Sequence, residues 1–230
     1  MKVLVTGAGG YIGNVLTRLL LEKGFKVRAL DTFWFGEGRL PQGENNLEIV
    51  KGDIRSISSS VMDGIDAIID LAAISNDPAG ELDSGLTWAI NHLGRFRIAS
   101  LGKAKGVKRY ILPSSCSIYG FQDEIVNETS EVNPLTTYAE ANLAAEKDVL
   151  SLASDDYCVT VVRQSTVYGV STRMRFDLAI NGMTKGFFEN GKIPLMRDGK
   201  QWRPFVHVAD TSKAMIMMLQ SEPEKINGEI

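Results

Sequence analysis

Short apolar runs alternate along the chain with longer stretches in which apolar residues recur every three or four positions. The runs at 2–6, 27–30, 47–50, 67–71, 109–113 and 159–163 are rich in Val, Ile and Leu, with little polar alternation. Such runs predict strands buried on both faces, as in a parallel sheet. The stretch 11–23 puts Ile12, Val15, Leu16, Leu19 and Leu20 on one side of a helix, and Gly24 stops it. Further helices are expected over 86–105 and 138–152. This strand–helix rhythm predicts an α/β fold of the Rossmann type, a doubly wound parallel sheet spanning residues 1–165.

After residue 165 the pattern loosens. A loop is expected over 168–175, a helix over 176–188, a short strand over 206–208 and a closing helix over 210–219. Residues 166–230 therefore read as a small, partial C-terminal substrate-binding portion laid over the sheet, stopping where another strand would begin.

Composition narrows the function. Of 230 residues, 44% are hydrophobic and 23% charged, ordinary for a globular chain. The net charge of −3, with no dense Lys/Arg stripe, argues against nucleic acid. No apolar run reaches the eighteen or so residues of a membrane span. Met1 leads directly into a strand without a signal-peptide pattern. Cys116 and Cys158 read as free thiols. These features point to a cytoplasmic location, and two His and two Cys at scattered positions argue against a metal site.

The candidate chemistry begins where the first strand meets the first helix. Thr6-Gly7-Ala8-Gly9-Gly10-Tyr11-Ile12-Gly13 places glycines at 7, 10 and 13. Glycines there allow a tight turn, a close approach of backbone to a pyrophosphate and close packing of helix on strand. The amides of Tyr11, Ile12 and Gly13 then face the phosphates at a helix N-terminus. Asp31, about 20 residues on, is placed to accept from a ribose diol. No arginine adjoins it to welcome a 2′-phosphate, so NAD is expected over NADP. Asp53 and Ile54 follow the third strand, where a carboxylate can accept from adenine and an isoleucine can pack on its ring. The small residues in Leu71-Ala72-Ala73 let the backbone approach the cofactor.

Taken together these motifs resemble the extended short-chain dehydrogenase/reductase family, specifically its nucleotide-sugar epimerases and dehydratases. Asn91, Ser114-Ser115-Cys116-Ser117-Ile118-Tyr119-Gly120, Tyr138 and Arg203-Pro204-Phe205-Val206-His207-Val208 extend the resemblance over the whole chain. It implies that Ser115 and Tyr138 flank the reacting carbon, with Tyr138 as the base for a sugar hydroxyl. It adds Asn91 and Ser165 to the cofactor site, and Asn181 and Arg203 to a nucleotide-diphosphate-sugar site. It also implies a homodimer paired through the 86–105 and 138–152 helices. Family members usually run on for several dozen residues beyond position 230.

The chain departs from the pattern at one catalytic position. Tyr138-Ala139-Glu140-Ala141-Asn142 carries Asn where a lysine is expected. Lys147 lies too far along the helix to replace it. A phenol that must lose a proton normally titrating near 10 lacks its usual cation. The sequence alone therefore predicts a rate that rises toward alkaline pH, with a gain from Asn142→Lys. The favoured activity is an NAD-dependent 4-epimerase. The alternatives are a 4-ketoreductase, a 4,6-dehydratase and a non-catalytic NAD-binding sensor or scaffold. Dehydratases usually carry an Asp-Glu pair after the active-site Ser/Thr, where this chain has Cys116 and Ser117.

Overall fold

A computed structural model describes residues 1–37, 39–195, 198–199 and 202–230. Its central sheet contains β1 (Lys2–Thr6), β2 (Lys26–Asp31), β3 (Leu47–Lys51), β4 (Ala67–Asp70), β5 (Arg109–Ser115) and β6 (Cys158–Gln164). The strands are all parallel, in the order β3-β2-β1-β4-β5-β6. The order reverses between β1 and β4, which opens a crevice at their carboxyl ends.

Helix α1 (Tyr11–Glu22) crosses from β1 to β2 and buries Leu16 and Leu20. On the opposite face, α2 (Asp77–Leu82) leads into a nearly continuous helical run. That run is α3 (Ser84–Trp88), a π-helical segment at Ala89–Gly94 and α4 (Arg95–Ala104). Helix α5 (Thr137–Leu150) packs beside it and against β5. The two helical layers bury separate apolar cores on either side of the sheet. One is built around Leu4, Ile68, Tyr110 and Val159, the other around Val5, Leu20, Ile69 and Ile216.

The sequence pattern missed α2, and the helix expected over 86–105 is divided into α3, the π-helical segment and α4. Strand β3 also differs from expectation. It is the sheet's edge, and Ile49 is left 38% exposed.

The C-terminal residues divide between two places. β7 (Thr166–Tyr168) pairs in parallel with β8 (Phe205–His207) in a separate two-stranded sheet, and α6 (Ala179–Asn190) lies beside them. Helix α7 (Val208–Gln220), however, returns to the Rossmann layer, where Met215, Ile216 and Leu219 join the α1 core. Gly228 N–H donates to Val159 O and Val161 N–H donates to Glu229 O, so the last residues extend the open edge of β6.

One buried ion pair braces α5 against the sheet. Glu146 and Arg163 have side chains 2% and 8% exposed, with Oε2 2.9 Å from Nη2. Arg163 also donates to the Tyr119 hydroxyl at 3.0 Å and to Glu128 O at 3.1 Å. Burial opposes the charge on Arg163, but its hydrogen bonds and charge interactions with Glu146 and Tyr119 together outweigh it and hold its pKa above the usual value. Removing one partner of such a pair strands the other. Glu146→Ala is therefore expected to destabilise the fold by about 3–5 kcal/mol, read by urea melts. A loss below about 1 kcal/mol would show that Arg163 reaches other acceptors or water.

Candidate active site

The glycine loop shows three glycines with distinct tasks. A Cβ on Gly7, whose φ is +64°, would lie 2.7 Å from the Leu71 carbonyl carbon, and one on Gly13 would lie 2.3 Å from Gly7 O. Both positions are closed by the protein's own backbone. Gly10 is different: it has extended backbone at φ −77°, and a Cβ there would meet only Gly7 O, at 3.0 Å. Its outer face is open, as required where a pyrophosphate approaches. The first helical N–H to be used is that of Asn14, which donates to Gly10 O at 3.1 Å. The preceding amides of Tyr11, Ile12 and Gly13 are the terminal donors an α-helix leaves for an anion. An open glycine beneath free helix-terminal amides fits a dinucleotide diphosphate.

Asp31 closes the loop from below. Its carboxylate accepts from Gly9 N–H at 2.9 Å and from Phe33 N–H at 2.7 Å. A carboxylate offers about four acceptor positions, so capacity remains for a ribose diol. Phe33 holds a positive φ of 54° and is 7% exposed, its ring set against Gly9. No propensity argument singled it out, because a bulky residue rarely adopts that conformation.

Other expected cofactor residues are arranged less simply. Asp53 accepts from Arg55 Nη2 at 2.6 Å, and that bond is the main cause of its lowered pKa. Ile54 is 5% exposed and packs on Gly94, inside the helical layer. Asn91 is fully buried and brackets the main chain of Ile74, accepting from its N–H at 2.8 Å and donating to its C=O at 2.9 Å. Its amide thereby holds the loop after β4, and with it Leu71, Ala72 and Ala73, all half-buried at the crevice. Ser165 is half-buried between β6 and β7.

The catalytic candidates lie at the same end of the sheet. Ser115 ends β5, and its Oγ accepts from Ser117 N–H at 3.1 Å, which stiffens the turn after it. Cys116 Sγ donates to Gln164 O, and burial raises the thiol's pKa.

Tyr138 sits in the first turn of α5. Thr136 caps that helix by accepting from Ala139 N–H at 3.2 Å, and it donates to Asp77 on α2 at 2.6 Å. Glu81 of α2 accepts from Thr137 N–H at 2.7 Å, and Gly80 packs directly on the Tyr138 backbone. The short helix missed in the sequence is thus what seats the tyrosine. The Tyr138 phenol is half-buried and has no hydrogen-bond partner among the described residues.

Asn142, one turn on, is 1% exposed. Its Nδ2 donates to Tyr138 O at 2.7 Å, and its Oδ1 accepts from Arg95. Sequence reasoning passed over Arg95. The signal was available: Asn91 and Arg95 are four apart, and two polar residues on the core-facing side of a helix call for internal partners.

The substrate candidates diverge. Asn181 is 6% exposed and accepts from Gly169 N–H at 3.1 Å. It donates to Tyr11 Oη at 3.1 Å and Arg175 O at 3.0 Å. Its amide is engaged within the protein, tying α6 to the glycine-loop helix. Arg203 is exposed beside β8 with no partner among the described residues, so its guanidinium is available to an anion. His207 packs edge-on against Tyr168 and caps α7 by accepting from Ala209 N–H at 3.2 Å. Among the described residues, no His/Cys/Asp/Glu cluster could hold a metal ion and no helix is long and apolar enough to cross a membrane.

A parallel 3-2-1-4-5-6 sheet with a glycine loop, a β2 acid and a Ser/Tyr pair at the carboxyl edge defines a Rossmann-type protein of the extended short-chain dehydrogenase/reductase class. Residues 3–230 match the model of the NAD dependent epimerase/dehydratase family, and the chain belongs to that family of NAD-dependent enzymes. It is 29% identical to the UDP-glucuronate 4-epimerase of Thermodesulfobacterium geofontis, over 94% of this chain and 71% of that protein. It is also 29% identical to an uncharacterized protein, y4nG, of Sinorhizobium fredii, with 93% of this chain covering 52% of that one. Among solved structures, MoeE5 in complex with UDP-glucuronic acid and NAD superposes with a TM-score of 0.87 at 29% identity, over 96% of this chain and 73% of that one. The chain thus spans between about half and three quarters of the length of these relatives.

Proposed function

We propose that the chain is the NAD-binding and catalytic part of a nucleotide-sugar 4-epimerase. The observation that carries this reading is the Tyr138 phenol, without a hydrogen-bond partner among the described residues and seated by α2 at the same end of the sheet as Ser115. When bound, NAD supplies the hydride acceptor and donor. Tyr138 takes the proton of the sugar hydroxyl as the carbon is oxidised and returns it on reduction. Ser115 hydrogen-bonds the same oxygen, and return of the hydrogen to the other face inverts the centre. Exposed Arg203 would pair bidentately with the nucleotide diphosphate.

Relatives in the family include 4-epimerases, a UDP-glucuronic acid decarboxylase and a dTDP-glucose 4,6-dehydratase. Cys116 and Ser117, where a dehydratase would carry acids, favour epimerisation. Incubation with UDP-, dTDP-, GDP- and CDP-sugars, followed by mass spectrometry and NADH absorbance, tests the choice. An epimerase interconverts sugars of equal mass without accumulating NADH. Loss of water or of carbon dioxide would assign one of the other reactions.

Asp31 supports a preference for NAD. Asp31→Ala, combined with an arginine at Thr32, is expected to move the affinity ratio toward NADP by about tenfold or more. A parent protein that already prefers NADP would overturn the role given to this acid.

Pairing into a homodimer through the α3–α4 and α5 helices also belongs to this reading. Leu93, 58% exposed on that layer, supports it. Light scattering is expected to give twice the monomer mass at micromolar concentration, and a monomer would refute the pairing.

A further inference from the structure

Arg95 opens α4 with a guanidinium that is almost entirely buried, the residue being 3% exposed. A buried cation must find hydrogen-bond acceptors and a compensating charge. Nε donates to Ala72 O at 3.0 Å, at the end of the strand that lines the cofactor crevice. Nη1 donates to Asn142 Oδ1, and the other end of that amide donates to Tyr138 O. One side chain therefore ties the cofactor strand to the helical turn that carries the tyrosine. Asp70, itself fully buried, lies within electrostatic reach of this cation and accepts from Thr6 Oγ1 and from Tyr110 Oη at 2.7 Å. Burial raises the Asp70 pKa, and the Arg95 charge works against that rise. Thr6 Oγ1 also accepts from Ala72 N–H at 3.0 Å, so both sides of the Ala72 peptide are held by this network.

Asn142 occupies the position where the resemblance expects a lysine. The cation has not vanished from this corner; it enters from α4 instead of α5. We propose that Arg95 is the positioning residue that replaces the motif lysine, setting the Tyr138 turn against the Ala72 end of the cofactor crevice with a buried positive charge. This rests on the reading of the crevice as an NAD site with Tyr138 at its reacting end. It reverses the expectation drawn from sequence for Asn142→Lys, because an ammonium placed there meets a guanidinium already in residence.

The test is a double-mutant cycle of Arg95→Thr and Asn142→Lys. NAD affinity is measured by calorimetry and the thermal midpoint by scanning fluorescence. On any sugar the parent turns over, kcat and KM are also followed across pH. Asn142→Lys alone is expected to lower the midpoint and weaken NAD about tenfold through two adjacent buried cations. Arg95→Thr alone is expected to lower kcat more than it raises KM, and to shift the active pH range alkaline. The double variant, with one cation again, is expected to recover NAD affinity to within about threefold of the parent. An Asn142→Lys protein as stable and as NAD-competent as the parent overturns the proposal. So does a double variant no better than the worse single one, including one that fails to fold. A parent inactive on every nucleotide sugar would defeat the epimerase reading, while the NAD and stability arms still decide the role of Arg95.

Discussion

Gly10→Val is expected to abolish NAD binding while leaving the fold in place. The backbone at Gly10 is extended, a conformation that valine adopts readily, and within the protein its Cβ would meet only Gly7 O, at 3.0 Å. A small shift accommodates it. The branched methyls would then project over the open N-terminal amides of α1, where a diphosphate must make close backbone contact. Affinity should fall at least about 100-fold, roughly 2.7 kcal/mol. The thermal midpoint should stay within a few degrees of the parent. Gly13→Val is the contrasting variant: a Cβ there lies 2.3 Å from Gly7 O, so the fold itself should suffer. Retained NAD affinity in Gly10→Val, measured by calorimetry, would remove the pyrophosphate from this loop.

Tyr138→Phe is expected to reduce turnover by about 10²–10⁴-fold, the range associated with a positioned acid–base group. The ring keeps its packing, and the α5 N-terminus is held by Thr136, Asp77 and Glu81 without help from the phenol. NAD affinity and stability should therefore change little. That combination separates loss of a proton carrier from damage to the site. Turnover at the parental rate in the Phe variant would place the base elsewhere.

These two residues stood out in the sequence because their tasks depend on local chemistry. A glycine triplet between a strand and a helix constrains its own backbone, and an acid at the end of the next strand follows from chain length alone. Tyr138 was legible through its resemblance to a known motif. Ile54 and Asn181 show where such reading weakens. Ile54 is drawn into the helical layer against Gly94, and the amide of Asn181 is absorbed by Gly169, Tyr11 and Arg175. Which way a side chain turns depends on neighbours far away in the chain.

The sequence by itself determined the strand–helix rhythm, the parallel sheet, the glycine loop and the acid that ends β2. Each rests on periodicity or on contacts between near neighbours. Only the tertiary structure decided what surrounds Asn142. Arg95 lies 47 positions before it and Asp70 a further 25, on different elements, and no local pattern links them. They meet because the parallel order places β4 beside β5 and packs α4 against α5. Once there, a buried guanidinium must be answered by every acceptor within reach. The same long-range packing sets α2 under Tyr138 and returns α7 to the α1 layer, since apolar burial rewards proximity in space whatever the separation along the chain.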